Sequence, residues 1–225
     1  MPPAVLESAR PRPPRPRRGG NGVAQTKAEQ RQASMENLLA AALRLFITQG
    51  YHATSVEEIA AAAGLTKGAV YFYFKSKAKI LMDLLDRVEA LAVEPSVQAA
   101  AAAGGSPRAR LVAFMHTQSM TGAERAELML LAILMATEFQ GTADPAERRL
   151  KAIMGRMYAL LEGIIGDGKA SGDFRGDLGT AEMVSLVMAV NQGCFLEWYR
   201  RRRELDGPEL VRAMRSIVLD GVTAR

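Results

Sequence analysis

The chain has 225 residues, 48% of them hydrophobic, and a formal net charge of +5. This apolar content suffices for a packed core in one large or two small domains, but no apolar run approaches the roughly 18–20 residues that span a bilayer, and Pro and Arg stand where a signal peptide carries its hydrophobic stretch. One cysteine (Cys194) excludes an internal disulfide and a Cys-based zinc cluster, and His52 and His116 share no metal-ligand spacing; a cytoplasmic protein with no metal, no cofactor and no membrane partner is expected.

Residues 1–26 hold six of the ten prolines and five Arg against Glu7. They predict an extended, disordered tail of charge +4. Residues 27–79 carry seven Lys or Arg against four Glu, and the remainder is net negative. Positive charge concentrated in the first third points to a polyanion partner at that end.

The rest of the chain predicts helices. Met35, Leu38/Leu39, Ala42 and Leu45/Phe46 form one face of a helix from Arg31 to Gln49, stopped by Gly50. Thr54-x-x-Glu57 is a capping box for a second, short helix, Thr66 caps a third, and a fourth is expected from about Ser76 to Val93, closed by Pro95. Residues 97–106 (VQAAAAAGGS) are read as a linker. Ser106-Pro107 and Asp144-Pro145-Ala146-Glu147 start new helices. Gly166, Gly168 and Gly172 break the chain before a long helix from about Asp177 to Arg203, and Gly207-Pro208 starts the last one. No stretch alternates like a strand, so the fold class is all-α.

The informative segment is VEEIAAAAGLTKGAVYFY, residues 56–73. Two short helices that cross steeply need apolar residues on their inner faces, a tiny residue where they touch and one free to take positive φ at the turn. Ile59, Ala63, Leu65, Val70 and Tyr73 meet the first need, Ala60 the second and Gly64 the third. The pattern is a helix-turn-helix, whose second helix enters the major groove N-terminus first. That end is Thr66-Lys67-Gly68-Ala69. Lys67 can reach guanine acceptors or a phosphate, Gly68 permits close approach, and amides at the Thr54 and Thr66 caps can meet phosphate oxygens. Tyr71 and Tyr73 offer hydroxyls. Lys75, Lys77 and Lys79 oppose the dipole of the fourth helix unless phosphates compensate them. Phe74 is expected in the core, Tyr73 either there or at DNA, and Phe72 exposed.

Residues 38–81 resemble the DNA-binding domain of the TetR family of repressors. Leu45-Phe46, Gly50-Tyr51, Thr54-Ser55-Val56, Ile59-Ala60, Ala63-Gly64, Lys67-Gly68, Tyr71 and Phe74-Lys75-Ser76-Lys77 follow the family pattern. Phe72-Tyr73 departs from it, since many members carry a His in that pair. The resemblance implies DNA contacts from Thr54, Ser55, Thr66, Lys67, Gly68, Tyr71, Tyr73 and Lys77. It also implies a homodimer with a small-molecule pocket in each C-terminal domain. The expected organisation is a tail (1–26), a three-helix DNA-binding domain (27–78) and a larger helical ligand-binding and dimerisation domain (79–225).

In that last domain Met183, Leu186/Val187, Val190 and Cys194 line one face of the long helix, and Leu210/Val211, Met214 and Ile217/Val218 one face of the final helix. These faces either pair the last two helices of each subunit into a four-helix interface or close the monomer core. Ligand contacts are expected among Phe114, His116, Met120, Met154, Tyr158, Asn191, Phe195 and Trp198, where large, soft or aromatic side chains mix with isolated polar ones. The Arg run 200–203 complements a helix C-terminus or meets an acidic ligand. No nucleophile–base pair, metal spacing or phosphate loop supports an enzyme. The expected function is a sequence-specific transcriptional regulator, a repressor released from a palindromic operator by a small hydrophobic ligand. The alternative is a nonspecific architectural DNA binder.

Overall fold

A computed structural model describes residues 26–201 and 203–224. The expected tail, apart from Thr26, and Arg202 lie outside the described residues. Among these the chain is all-α, with ten α-helices and no strand beyond one isolated bridge between Phe174 and Thr223.

The first helix, α1 (Lys27–Gln49), starts a turn earlier than its apolar face implies, because Thr26 and Glu29 form a capping box. It buries Leu38, Leu39, Ala41, Ala42 and Phe46. Next come α2 (Val56–Ala62) and α3 (Lys67–Phe74). The cap of α2 is one residue later than expected: Ser55 accepts from the Glu58 amide, and the Glu58 carboxylate accepts from Ser55 N–H. Both spacings satisfy the capping-box pattern, and Thr54 loses the contest because its side chain is buried.

Helix α4 (Lys77–Val88) does not end at Pro95. A π-helical turn (Glu89–Val93) carries it directly into α5 (Glu94–Ala102), so the Ala run is helix and not linker. Pro95 stands in the first turn of α5, where its missing N–H is least costly. The widened turn before it lets the ladder skip that donor. Within the π turn the Ala92 carbonyl accepts from Ser96 Oγ (2.9 Å) and Gln118 Nε2 (3.0 Å).

Helices α6 (Pro107–Glu124) and α7 (Ala126–Glu138) follow, and α7 packs along α1. Helix α8 (Pro145–Ser171) runs straight through Gly166 and Gly168. Gly168 serves a close approach: a Cβ there would lie 2.2 Å from the Phe174 ring. Only Gly172, at φ 78°, stops the helix. Helices α9 (Thr180–Arg201) and α10 (Gly207–Val222) complete the bundle. Arg149 and Arg156 of α8 clamp Asp86, Glu89 and Glu94, which fixes the C-terminal end of α4 and the π turn against α8.

The expected start at Asp144-Pro145 is present, with Asp144 accepting from the Ala146 amide at 2.7 Å. Glu147 has another task. Its carboxylate accepts from the Gly141 and Ala143 amides (2.8 and 2.6 Å) and pairs with Lys151, holding a loop in which Ala143 takes φ 60°. The Lys151 ammonium first, then the two amides, hold its pKa at about 2 against an ordinary 4.5. A depressed carboxylate contributes stability above its unfolded pKa and loses it as pH falls through the folded one. Glu147→Gln is therefore expected to lower Tm at pH 7 by a few degrees and to flatten the loss of Tm between pH 4.5 and 2. An unchanged pH profile in thermal unfolding would argue against this role.

Candidate DNA-binding head and ligand cavity

The α2–α3 pair packs through Ile59, Ala60, Val70 and Phe74, all fully or almost fully buried. Gly64 turns the chain between them at φ +67° with open space around it. Thr66 caps α3 by accepting from Ala69 N–H at 3.2 Å. Beyond that cap Lys67, Gly68, Tyr71 and Phe72 all face solvent, Phe72 with 67% of its surface exposed. Tyr73 is half-buried against the core, its ring 5.1 Å from that of Phe72. Lys67 pairs with Glu57 of α2 and lies 5.9 Å from the Tyr71 ring. This exposed strip joins a capped helix N-terminus to a cation and a tyrosine hydroxyl, groups that can meet DNA.

Two of the expected contact residues are turned elsewhere. Thr54 is 2% exposed. Its hydroxyl donates to Gly50 O (2.7 Å) and accepts from Gln49 Nε2 (3.3 Å), so none of it is free for a phosphate. Lys77 donates to the Tyr51 and Thr54 carbonyls (2.8 and 2.7 Å) with its ammonium 4.2 Å from the Tyr51 ring centroid. Burial pushes its pKa down. Lys79 pairs with Asp83. Internal partners therefore meet Lys77 and Lys79 at the start of α4, while Lys75 is exposed. Ser55 faces partway outward, but its hydroxyl is engaged with Glu58.

In the larger helical part a cavity of about 470 Å³ lies between α6, α9 and the start of α10. Of the expected ligand residues, His116, Met120, Asn191, Phe195 and Trp198 line it. Met154 lines a smaller adjoining space of about 30 Å³ that shares Gln118, Met129 and Asn191 and reaches Val88, Ala92 and Val93. Phe114 is a fully buried core residue and Tyr158 lies on the surface, 38% exposed; neither lines the cavity. Leu210, Val211 and Met214, on the face that the sequence leaves either to a dimer interface or to the monomer core, line the cavity. Met183, Val187 and Val218 are likewise buried within the monomer, while Leu186 and Ile217 are exposed, at 62% and 70%.

The segment 38–84 matches the model of the bacterial regulatory proteins of the tetR family. The HTH-type transcriptional repressor BepR of Brucella suis is 27% identical over 80% of this chain and 87% of its own. The MbdR regulator of Azoarcus sp. CIB is 45% identical, and its crystal structure superposes with a TM-score of 0.76 over 84% of this chain and 98% of that one. The chain belongs to the TetR family. FadR of Bacillus subtilis, solved in complex with stearoyl-CoA, shares the fold at 20% identity and a TM-score of 0.66, covering 83% of this chain and 98% of that one. TetR-family members are DNA-binding transcription regulators and not enzymes, and nothing in these relatives supports a nonspecific architectural role.

In this TetR-family regulator the head and the bundle meet at residues that sequence patterns do not single out. Glu138, at the end of α7, accepts from the Tyr51 and His52 amides (3.0 and 2.9 Å). Phe139 stacks 5.1 Å from Tyr51 and 5.3 Å from His52. Met129, on the same helix, lines the cavity. At the far end of α4, Gln118 bonds the π turn and also lines the cavity. Arg201 is held by Glu197 and Glu204, and Arg200 by Glu197, so the first two arginines of the run have acidic partners within the chain.

Proposed function

We propose that this regulator is a repressor that binds a palindromic operator as a homodimer and is released when a small, largely hydrophobic ligand fills the cavity between α6, α9 and α10. The observation that carries this reading is the placement of that cavity: its lining residue Met129 lies on α7, whose end holds the α1–α2 loop of the head, and its lining residue Gln118 bonds the π turn that continues α4. Residues 27–78 act as the reading head, with Ser55, Thr66, Lys67, Gly68, Tyr71 and Tyr73 toward DNA, and residues 79–225 hold the ligand and the dimer contact. α4 is the strut between them. Leu186 of α9 and Ile217 of α10, exposed in the monomer, favour dimerisation through the last two helices. The stearoyl-CoA bound to Bacillus FadR favours ligand control in this fold. A shift of α4 on ligand binding moves the two heads out of register with successive major grooves. The coupling needed is typically 1–3 kcal/mol.

The test is selection of duplexes from a random pool by the purified protein, followed by release assays on the recovered site. Recovery of a palindrome, bound by two chains and released by a compound that enters the cavity, supports the reading. Salt-sensitive binding without sequence preference contradicts it. On the recovered operator, Lys67→Ala is expected to cost about 1–3 kcal/mol and to relax base preference at one position. Equal loss across all sequences would remove its base-reading role.

A further inference from the structure

The cavity's described lining contains no Lys, Arg, Asp or Glu. Its one imidazole belongs to His116, an exposed residue, so a charged group brought deep inside sheds water beside no fixed counter-charge, at high cost. The lining is instead apolar and aromatic, with a few polar side chains. Two of these are already engaged. Gln118 Nε2 is bonded to Ala92 O and Ser96 Oγ, and Ser119 Oγ donates to Met115 O. Asn191 differs. It is only 7% exposed, it faces both the main cavity and its smaller extension, and no group among the described residues bonds to its side-chain amide. Because this amide opens onto the cavity, its partner there is water or a ligand that enters the space. Asn191 stands on the α9 face that also presents Phe195 and Trp198, at helical spacings of four and seven residues.

The two aromatic walls are set by glycines. A Cβ at Gly122 would come within 3.0 Å of the Phe195 ring, and one at Gly207 within 3.0 Å of Trp198 Nε1. Each ring thus lies directly against backbone, leaving a space bounded by two rings whose centroids are 6.4 Å apart.

Resting on the reading of this cavity as the effector site, we propose that it selects the uncharged, ring-containing portion of a ligand bearing one carbonyl or hydroxyl oxygen, and that Asn191 is the residue that recognises that oxygen. A carbonyl accepts from the Asn191 amide NH₂, and a hydroxyl donates to its oxygen. An unsubstituted hydrocarbon leaves the amide unpaired, and a carboxylate leaves its charge unpaired.

Trp198, the sole tryptophan of the chain, reports occupancy directly. Quenching of its emission by 2-acetylnaphthalene, 2-ethylnaphthalene and 2-naphthoate at pH 7.5 compares an uncharged ketone, a hydrocarbon and a carboxylate on one ring system. The full-length protein is expected to bind the ketone about tenfold more tightly than either of the others. In Asn191→Leu, which keeps size and branching, the ketone-to-hydrocarbon ratio is expected to fall to about one. Asn191→Ala gives the same collapse should the leucine disturb packing. Ketone preference retained in both variants overturns the role of Asn191, and naphthoate binding as tight as the ketone overturns the uncharged-ligand selection. Either leaves the cavity as the effector site. Quenching by none of the three overturns that underlying reading as well.

Discussion

Lys77→Met is expected to weaken operator binding at least about tenfold for every DNA sequence while leaving the slope of log affinity against log salt unchanged. A lysine that neutralises a phosphate contributes about one unit to that slope. Lys77 does not have that freedom. Its ammonium joins two carbonyls, Tyr51 O and Thr54 O, on the loop that leads into α2. Hydrogen bonds from a charged donor contribute roughly 1.5–3 kcal/mol each, and partial solvent access at this site brings the pair to about 2–3 kcal/mol together. Methionine keeps the apolar stem beside Tyr51 and removes only the donors. The loop that positions Ser55 and the start of α2 then loosens relative to α4, so the head pays an ordering cost on any DNA. Filter binding of the operator and of unrelated duplexes between about 50 and 200 mM salt reads both quantities. A slope reduced by about one would return Lys77 to the phosphate backbone, and a lost base preference with intact nonspecific affinity would place it at a base edge.

The helix-turn-helix was legible because its requirements are local. Ala60, Gly64 and the Thr66 cap each answer a steric or hydrogen-bonding demand within a few residues, and each sits where that demand places it. Local rules blur where two neighbours satisfy the same pattern. Thr54-x-x-Glu57 and Ser55-x-x-Glu58 are both capping boxes, and the choice depends on burial of Thr54 by Gly50 and Gln49. Glycine carries the same ambiguity: Gly168 reads as a breaker, yet its lack of a Cβ admits Phe174 across a continuous helix. The cavity was legible only in half. Asn191, Phe195 and Trp198 stand out as polar or aromatic residues on an apolar helix. Leu210, Val211 and Met214 form an apolar face that looks identical whether it meets a core, a ligand or a second subunit. Glu138 offers no signal at all, since a glutamate near a helix end is ordinary and its partners are backbone amides 86 and 87 residues away.

That glutamate is where the second large effect is expected: Glu138→Ala should leave effector binding intact but remove most of its influence on DNA. The carboxylate is one of the few polar ties between α7 and the α1–α2 loop, and it accepts two amides from consecutive residues. Lys77 anchors the same loop to α4. The loop is therefore held by α4 on one side and by α7 on the other, and α7 carries Met129 into the cavity. A ligand can bias the head only through contacts that differ between the two states. With the carboxylate gone, movement of α7 no longer drags the loop, although Phe139 still packs against Tyr51. Coupling in such regulators is typically 1–3 kcal/mol, or about 5–150-fold in affinity. The variant is expected to retain unliganded operator affinity within about threefold and to lose most of that factor, while Trp198 quenching by the effector stays as in the parent. Amide exchange at Tyr51 and His52 should rise, because both donors lose their acceptor. A release factor equal to that of the parent protein would show that the signal runs along the other route, from Gln118 through the Ala92 carbonyl to the end of α4, and Gln118→Leu would then be the variant that breaks it.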